Sequence, residues 1–378
     1  MHFLAPLRFT FLSVLFVRTM CSSVSSTTST ALADHEALGP IRLGPTCARL
    51  VPNMNPDCER TLRQHGISIT PLEPMGAAVT GLDLRLSRSP PADVLKALEV
   101  EMAGRGFVVF RDQGVMTGDE QVRASELFGG KKIYSTHGVH PKAPNRHIFR
   151  LSNDPSEGLL GVGPQWHNDG SFERAVFSHV GYHIVRVPER GGATHFSHAG
   201  AAHDRLTEEE KEVWSRRFSV NSNSGVVHPL VHTHPISGRR SVWLHLGWTG
   251  AVIEASRDGE AHRLLDAAEL TALCHRFNDL LDAGFKEGYS MSYEYQAGDL
   301  VMIDNLAISH RAAPQAHMST AVQGLRILHR TTVAGMMNFD PVGLPPEVHI
   351  FGPSPFGRGV WQGGGQGFQW DATRRLQN

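Results

Sequence analysis

The sequence is poor in cysteine, has no long apolar run and carries no excess of one charge sign. Its four cysteines include no Cys-x-x-Cys pair, which argues against a disulfide framework or a structural zinc knot. The 36 basic and 37 acidic side chains nearly cancel, so no global attraction to nucleic acid or anionic lipid is expected. What remains is 40% hydrophobic and 19% charged, which is typical of a globular protein with a real core.

The first 33 residues contain no acidic residue, but they contain Arg8, Arg18, a short apolar stretch and a Ser/Thr-rich run. The apolar stretch at 11–17 is too short to span a bilayer, so no stable membrane span is expected there. This composition predicts a targeting segment for an organelle, a mitochondrion or a plastid. A secretory signal or a cytoplasmic tail remains an alternative.

The rest of the chain divides into a poorly ordered linker at 34–64, one domain at 65–340 and a Gly/Pro-rich tail at 341–378. Between about 148 and 200, short apolar runs alternate with Gly, Pro and Asn, which indicates β-structure. Helices are predicted at 92–103, at 119–128, from a capping box at Thr207 to 217, and at 269–283; strands are predicted at 107–110, 300–303 and 326–333. Strands with helical insertions predict a mainly β protein, either a barrel or a jelly roll.

A metal site is suggested by His167 and Asp169, which flank a single residue. On a strand, side chains two residues apart share a face, so this imidazole and this carboxylate would lie side by side. They are two thirds of a 2-His-1-carboxylate triad, which leaves positions open on Fe(II). The pattern alone is weak, because a surface histidine and aspartate in a loop would look the same.

Further residues near the end of the domain strengthen this hypothesis. His310 follows an apolar strand, and the strand at 326–333 places Arg326 and Arg330 on one face. A buried arginine needs a carboxylate, and an arginine pairs with one bidentately, as it would with the distal end of a dicarboxylate. Thr194, on a Gly-Gly turn, adds a hydroxyl downstream of the first two ligands.

The domain resembles the TauD/TfdA dioxygenases over about 67–334. The resemblance is carried by 106–112 (GFVVFRD), 166–169 (WHND), 191–194 (GGAT), 228–231 (HPLV), 234–239 (HPISGR), 304–310 and the Arg-x-x-x-Arg of Arg326 and Arg330. It implies a double-stranded β-helix, a cupin-like jelly roll, that uses Fe(II), 2-oxoglutarate and O2. It also implies His167, Asp169 and His310 as iron ligands, and Arg326 with Thr194 as the clamp on the 5-carboxylate of 2-oxoglutarate. The loop from His310 to Arg326 is several residues longer than in the taurine enzyme.

The substrate is addressed by the same resemblance. The sulfonate contacts of the taurine enzyme match His140 and Arg330 here, which implies a small anionic substrate. Two alternatives stay open: Arg330 could pair with a buried acid, and His140 could cap a turn. Gly163 stands where that enzyme has an asparagine amide, so we expect a substrate other than taurine, with more room for it.

The carboxylate of Asp169 favours oxygenation over halogenation, because a related halogenase replaces that carboxylate with a small residue. Hydroxylation is the expected outcome, with oxidative cyclisation or desaturation as alternatives and ascorbate as a supporting reductant. A non-catalytic small-molecule-binding relative is the rival from another class, but no ligand or clamp residue is missing.

The sequence also bears on partners other than the small-molecule substrate. A nucleic-acid substrate is not expected from the charge balance, and a homo-oligomer remains compatible with the sequence. His228, His232 and His234 lie close together in the chain, but their turn-rich segment favours hydrogen bonding over a second metal.

Overall fold

The computed structural model describes residues 50–134, 139–160, 163–316 and 318–335. Its helices are α1 (Pro56–Gln64), α2 (Ala92–Arg105), α3 (Gly118–Ser125), α4 (Ala199–Asp204), α5 (Glu208–Ser215), α6 (Ala267–Glu287) and α7 (Thr320–Gln323). Its strands are β1 (Ser68–Pro71), β2 (Ala77–Thr80), β3 (Phe107–Phe110), β4 (Phe149–Ser152), β5 (His179–Arg186), β6 (Thr194–His198), β7 (Arg217–Asn221), β8 (Val227–Pro229), β9 (Val231–Thr233), β10 (Arg240–Val242), β11 (Thr249–Ala255), β12 (His262–Leu264), β13 (Ser290–Tyr293), β14 (Leu300–Asp304), β15 (Ile308–Ala312) and β16 (Ile327–Thr332).

The largest sheet has seven strands in the order β1-β2-β3-β14-β5-β16-β4, and only β2 and β3 pair in parallel. A three-stranded sheet, β13-β6-β15, packs against it. Phe107 of the large sheet lies with its ring centroid 4.8 Å from that of Phe196 and 5.4 Å from that of Tyr293. Two smaller sheets, β12-β11-β7-β8 and β10-β9, complete the domain. The expected mainly β architecture is therefore present.

The large sheet is covered on both faces, which explains why β3 is an unbroken apolar run. Phe107 and Val109 belong to the interior core, whereas Val108 and Phe110 pack with Leu98 and the rest of the outer cluster under α1 and α2. A strand buried on both sides has no polar face to alternate with its apolar one. The large sheet therefore carries two cores, and the interior one surrounds the functional residues.

The predicted helices form, and their ends follow their capping residues. Thr207 and Glu210 make a complete capping box at the start of α5. Asp266 and Glu269 do the same for α6, and Gly288 ends that helix in a left-handed conformation with φ 84°. Because each cap satisfies amides that the helix itself leaves unpaired, such signals can be identified from sequence.

The predicted linker at 34–64 is wrong over its last part, because Pro56–Gln64 is helix α1. Asn55 caps this helix by accepting bonds from the amides of Asp57 and Cys58, with Pro56 in its first turn. Proline fits the first helical turn, so Pro56 marks the start of this helix. The predicted targeting segment, the first part of the linker and the tail at 341–378 lie outside the described residues.

Within the described ranges, no helix is both long and apolar enough to cross a membrane.

Candidate metal centre

His167 and His310 face each other across a single antiparallel bridge. The amide of His167 donates to the carbonyl of His310 at 3.0 Å, and the reverse bond is 2.8 Å long. Their ring centroids are 4.3 Å apart. Asp169 completes a buried group whose candidate ligand atoms all lie within 4.8 Å of one another. We call these three residues the metal cluster.

Asp169 does not reach this position by strand alternation, so that part of the prediction is wrong. His167 forms an isolated bridge, and the chain then turns at Asp169 and Gly170, which has φ 84°. Asn305 holds the turn: its Oδ1 accepts from the amide of Asp169 at 2.9 Å, and its Nδ2 donates to the carbonyls of Asp169 and Phe177 at 2.8 Å. The carboxylate is therefore placed by an amide side chain that lies 136 residues further along the chain.

Asn168, between the two ligands, secures the same segment from its other side. Its Nδ2 donates to the carbonyls of Asn305 and Ile308 at 2.8 and 2.7 Å, and its Oδ1 accepts from the Ser309 hydroxyl at 2.8 Å. The side chain is fully buried. These bonds tie the His-x-Asp segment to the strand that carries His310.

Both histidines of the cluster are suited to bind a cation. Burial lowers the pKa of His167, and burial together with the neighbouring His167 lowers the pKa of His310 to about 3, so both rings are neutral at neutral pH. Nδ1 of His167 lies 2.7 Å from the carbonyl of Gln165, which leaves Nε2 available. Neither ring nitrogen of His310 has a hydrogen-bond partner among the described residues. Buried nitrogens without partners beside a carboxylate fit a metal ion with His and Asp ligands.

Arg330 lies on the carboxylate of the metal cluster. Its Nη1 is 3.1 Å from both carboxylate oxygens of Asp169, and its guanidinium lies 4.9 Å from the ring centroid of Phe149. Arg330 was expected either to contact the substrate or to pair with a buried acid. In this structure it pairs with a buried acid, Asp169. The guanidinium balances the carboxylate charge of Asp169.

Arg326 and Thr194, the residues predicted to clamp a carboxylate and called the clamp below, lie just before β16 and at the start of β6. Nε of Arg326 donates to the carbonyl of Gly192 at 3.2 Å, but its buried Nη1 has no partner among the described residues. Thr194 is buried at the start of β6. A cavity of about 320 Å³ borders Arg326, with Tyr295 and Leu328 in its wall. A buried cation that lacks an anion is suited to bind a carboxylate ligand.

Tyr182 connects the two groups of residues. Its ring lies edge-on to His310 with centroids 6.2 Å apart. Burial raises the pKa of Tyr182 well above its usual range; the charge of Asp169 adds to this effect, while Arg330 and Arg326 oppose it. The hydroxyl therefore lies in the field of both the metal cluster and the clamp.

His140 is described within a turn. Its Nδ1 accepts from the amide of Lys142 at 3.2 Å, and its Nε2 lies 3.3 Å from the carbonyl of Pro155. These are the contacts of the turn-capping alternative, and they do not bring His140 to the metal cluster.

Gly163 does not provide the extra space that the sequence suggested. A Cβ at this position would lie 2.0 Å from Cε1 and 2.7 Å from Nε2 of His167. The Gly163 carbonyl also accepts from the amide of Ala312 at 2.9 Å. The imidazole of His167 therefore occupies the room that a side chain at 163 would need, and that expectation is wrong for this structure.

The three clustered histidines have separate structural roles. His228 bonds the carbonyl of Ser171 at 3.1 Å, His232 that of Leu306 at 3.1 Å, and His234 the carboxylate of Asp304 at 3.0 Å. Each links the smaller sheets to the segments beside the metal cluster.

Sequence reasoning missed His245 and a pair of supporting charges. The His245 ring centroid lies 4.9 Å from that of His167. Asp282 of α6 accepts from Nε1 of Trp166 at 3.0 Å and pairs with Arg311 at 2.7 Å, which joins the neighbours of two cluster residues. No local pattern marks His245, whereas Trp166 and Arg311 could have been suspected from their positions next to His167 and His310.

Comparison with known proteins agrees with this geometry. The profile of the family described as "Taurine catabolism dioxygenase TauD, TfdA family" matches residues 68–332. Pentalenolactone F synthase of Streptomyces arenae is 27% identical over 286 residues, covering 65% of this chain and 89% of that protein. An alpha-ketoglutarate-dependent sulfate ester dioxygenase of Pseudomonas putida is 24% identical over 305 residues, covering 72% and 90%.

The crystal structure of a taurine dioxygenase from Burkholderia xenovorans superposes with a TM-score of 0.59 at 21% identity, covering 74% of this chain and 92% of that one. This likeness confirms the predicted jelly-roll fold. The profile match spans well over half of the sequence. The chain belongs to the TauD/TfdA family of non-haem iron, 2-oxoglutarate-dependent dioxygenases.

Proposed function

We propose that the protein couples the decarboxylation of 2-oxoglutarate to succinate with hydroxylation of a C–H bond in a small anionic substrate. The observation that supports this most is the combination of two features in one interior. The buried His167, Asp169 and His310 lie within 4.8 Å of one another, and the buried guanidinium of Arg326 has an Nη1 without a described partner. A zinc hydrolase would need the first feature but has no use for the second.

In this proposal His167, Asp169 and His310 hold Fe(II), which supplies the oxidising chemistry when 2-oxoglutarate and O2 are bound. Arg326 and Thr194 bind and orient the 5-carboxylate of 2-oxoglutarate. Tyr182, which lies against His310 and in the field of Arg326, fills the interior between them and excludes water. Ascorbate is proposed as a supporting reductant.

The anionic character of the substrate rests on Arg330. A cation at Asp169 would take over the charge that Arg330 now balances, and the guanidinium could then turn to an anion on the substrate. The relative from Pseudomonas putida is named for a sulfate ester, which is such an anion. Another relative is named as a synthase, so oxidative cyclisation or desaturation is kept as the alternative outcome.

The decisive test is succinate formation from 2-oxoglutarate with Fe(II) and ascorbate, compared with the same assay in Zn(II). Asp169→Ala should abolish turnover, because it removes a ligand of the metal cluster and leaves Arg330 uncompensated. Asp279→Ala, at an exposed position of α6, serves as the control and should be as active as the native protein. Full turnover by Asp169→Ala, or turnover with zinc alone, would refute the proposal.

The substrate class can be found with the same assay. Amino acids, sulfonates, sulfate esters and small carboxylates are added one at a time, and the rate of 2-oxoglutarate consumption is measured. We expect the largest acceleration from a compound with an anionic group. Acceleration confined to neutral compounds would remove Arg330 from the substrate site.

We also propose that residues 1–33 direct the protein to a mitochondrion or plastid, on the strength of Arg8, Arg18 and the absence of acidic residues. A fluorescent reporter fused to residues 1–33 should enter the organelle, and a reporter found in the secretory pathway or cytoplasm would refute this.

A further inference from the structure

The clamp region contains more buried hydrogen-bond donors than Arg326 and Thr194 alone. Tyr295 is buried just after β13, and its hydroxyl has no hydrogen-bond partner of ordinary geometry among the described residues. It borders the same cavity as Arg326, whose Nη1 also has no such partner. Two buried donors without acceptors therefore lie around one cavity.

Thr194 lies next to Tyr295 as well. Burial raises the pKa of Tyr295 above its usual range, and the Thr194 side chain and the charge of Arg326 both oppose this rise. The Thr194 contact falls short of the geometry of a full hydrogen bond, since the phenol oxygen has no partner by distance and angle. Thr194, Tyr295 and Arg326 therefore lie together.

The orientation of Tyr295 is fixed by packing against Tyr293. Tyr293 lies two residues earlier, and the two rings meet edge to face with centroids 5.3 Å apart and an interplanar angle of 78°. Tyr293 in turn lies against Phe107 of the interior core. The Tyr295 hydroxyl is therefore held by packing before any ligand arrives, which lowers the entropy lost on binding.

Unpaired buried polar groups are costly, so donors gathered without an acceptor indicate a ligand that is rich in acceptors. Guanidinium and phenol donate, and a threonine hydroxyl can donate too, whereas a carboxylate only accepts and offers about four lone-pair directions. We propose that Tyr295 is a third binding residue of the clamp, donating its hydroxyl to the distal carboxylate of 2-oxoglutarate beside Arg326 and Thr194. This inference rests on the proposed function, because it presumes that 2-oxoglutarate binds in this cavity.

The test measures binding directly, by isothermal titration of the full-length, Mn(II)-loaded protein with 2-oxoglutarate in the absence of oxygen. Tyr295→Phe should lower the affinity for 2-oxoglutarate by about 10-fold, which is the usual effect of losing a hydrogen bond to a charged group. The matched control is Tyr293→Phe, which removes the buried hydroxyl of the neighbouring tyrosine and should leave the affinity unchanged.

A second ligand separates a carboxylate contact from a general disturbance of the cavity. 2-Oxopentanoate has the chain length of 2-oxoglutarate but ends in a methyl group, so Tyr295→Phe should bind it as well as the native protein does. If Tyr295→Phe folds poorly by its melting curve, Tyr295→Met removes the same hydroxyl and the comparison is repeated.

Each outcome decides one statement. Failure of the native protein to bind 2-oxoglutarate overturns the proposed function itself. Native binding with equal affinity in Tyr295→Phe overturns only the role of Tyr295. The role of Tyr295 is also overturned if Tyr295→Phe binds both ligands equally less tightly, or if Tyr293→Phe loses as much affinity for 2-oxoglutarate. A loss of affinity confined to 2-oxoglutarate and to Tyr295→Phe supports it.

Discussion

Asn305, behind the metal cluster, and Arg326, in the clamp, are both buried polar side chains, but their hydrogen bonding differs. Asn305 accepts from one amide and donates to two carbonyls, all within the segment around Asp169. Arg326 donates to the carbonyl of Gly192 and has an Nη1 without a described partner. The metal end is thus supported by the protein's own backbone, whereas in the proposed function the clamp end receives an acceptor from 2-oxoglutarate. Removing the Asn305 side chain should therefore lower the stability of the fold, whereas removing the Arg326 guanidinium should mainly weaken ligand binding.

Acid should act on the metal end through its buried neutral histidines. Burial lowers the pKa of His228 to about 4 and of His232 to about 3, and both rings bond carbonyls beside the metal cluster. Burial also lowers the pKa of His198 to about 4. Below the unfolded pKa of about 6.5 only the unfolded chain takes up these protons, so stability falls as pH drops from there towards the native pKa values.

Each buried neutral histidine predicts a loss of about 1.4 kcal/mol per pH unit well below pH 6.5, and the contributions of these three add to those of the other buried rings, His310 among them. Guanidinium unfolding at pH 7.5, 6.5 and 5.5 measures the effect. His232→Asn should lower the pH dependence of the unfolding free energy by about 1.4 kcal/mol per pH unit, which corresponds to one proton. A stability that stays constant over this range would contradict the assignment of neutral buried rings.

Asn305→Ala should destabilise the protein by about 3 kcal/mol, because it removes three hydrogen bonds and leaves buried backbone groups unpaired. Urea unfolding of the metal-free protein gives the value. Asn223→Ala, at an exposed position, should change stability by less than about 0.5 kcal/mol. Similar losses in the two variants would remove the distinction between the site's support and its surface.

Arg326→Met should show the opposite pattern. It should lower the affinity for 2-oxoglutarate by about 100-fold, or about 2.7 kcal/mol of binding free energy, because the ligand loses its charged partner. The metal-free protein should be no less stable, because a buried charge whose Nη1 lacks a described partner has been replaced by an apolar chain. Calorimetric titration and a melting curve provide the two readouts, with Arg190→Met at the exposed rim of the cavity as control. A large loss of stability in Arg326→Met would mean that the clamp is already satisfied within the fold.

Asp282→Ala tests a contact that supports the metal cluster from outside. It removes the partner of both Trp166 and Arg311, and we expect a loss of about 1–2 kcal/mol with several-fold weaker binding of Mn(II). Asp279→Ala on the same helix leaves both contacts intact and should match the native protein. Unchanged Mn(II) affinity in Asp282→Ala would limit this residue to a role in folding.

Local signals in the sequence predicted the elements well. The capping box at Thr207, the helix at 269–283 and the apolar strand at 107–110 each depend on neighbours within a few residues, and each forms. A resemblance spanning the whole domain also predicted His167, Asp169 and His310 as iron ligands and Arg326 as a carboxylate-binding residue. These features need no knowledge of what lies across the core.

What could not be predicted depends on contacts between distant parts of the chain. The bonds from Asn305 to Asp169 span 136 residues, and no periodicity reveals them. The clash of a side chain at Gly163 with His167 depends on how a loop folds back on the site. The partner of Arg330 likewise follows from the turn at Asp169, which the expected strand would not have produced.

The ion pair between Arg330 and Asp169 also has a consequence for the order in which ligands stabilise the site. With Asp169 negative and Arg330 and Arg326 positive, this interior carries a net charge of about +1 before anything binds. A divalent cation alone would raise the total to about +3, which is unfavourable in a buried setting. A dicarboxylate arriving with the cation restores about +1. If both ligands bind as proposed, we expect them to be coupled thermodynamically, each increasing the affinity for the other by the same factor.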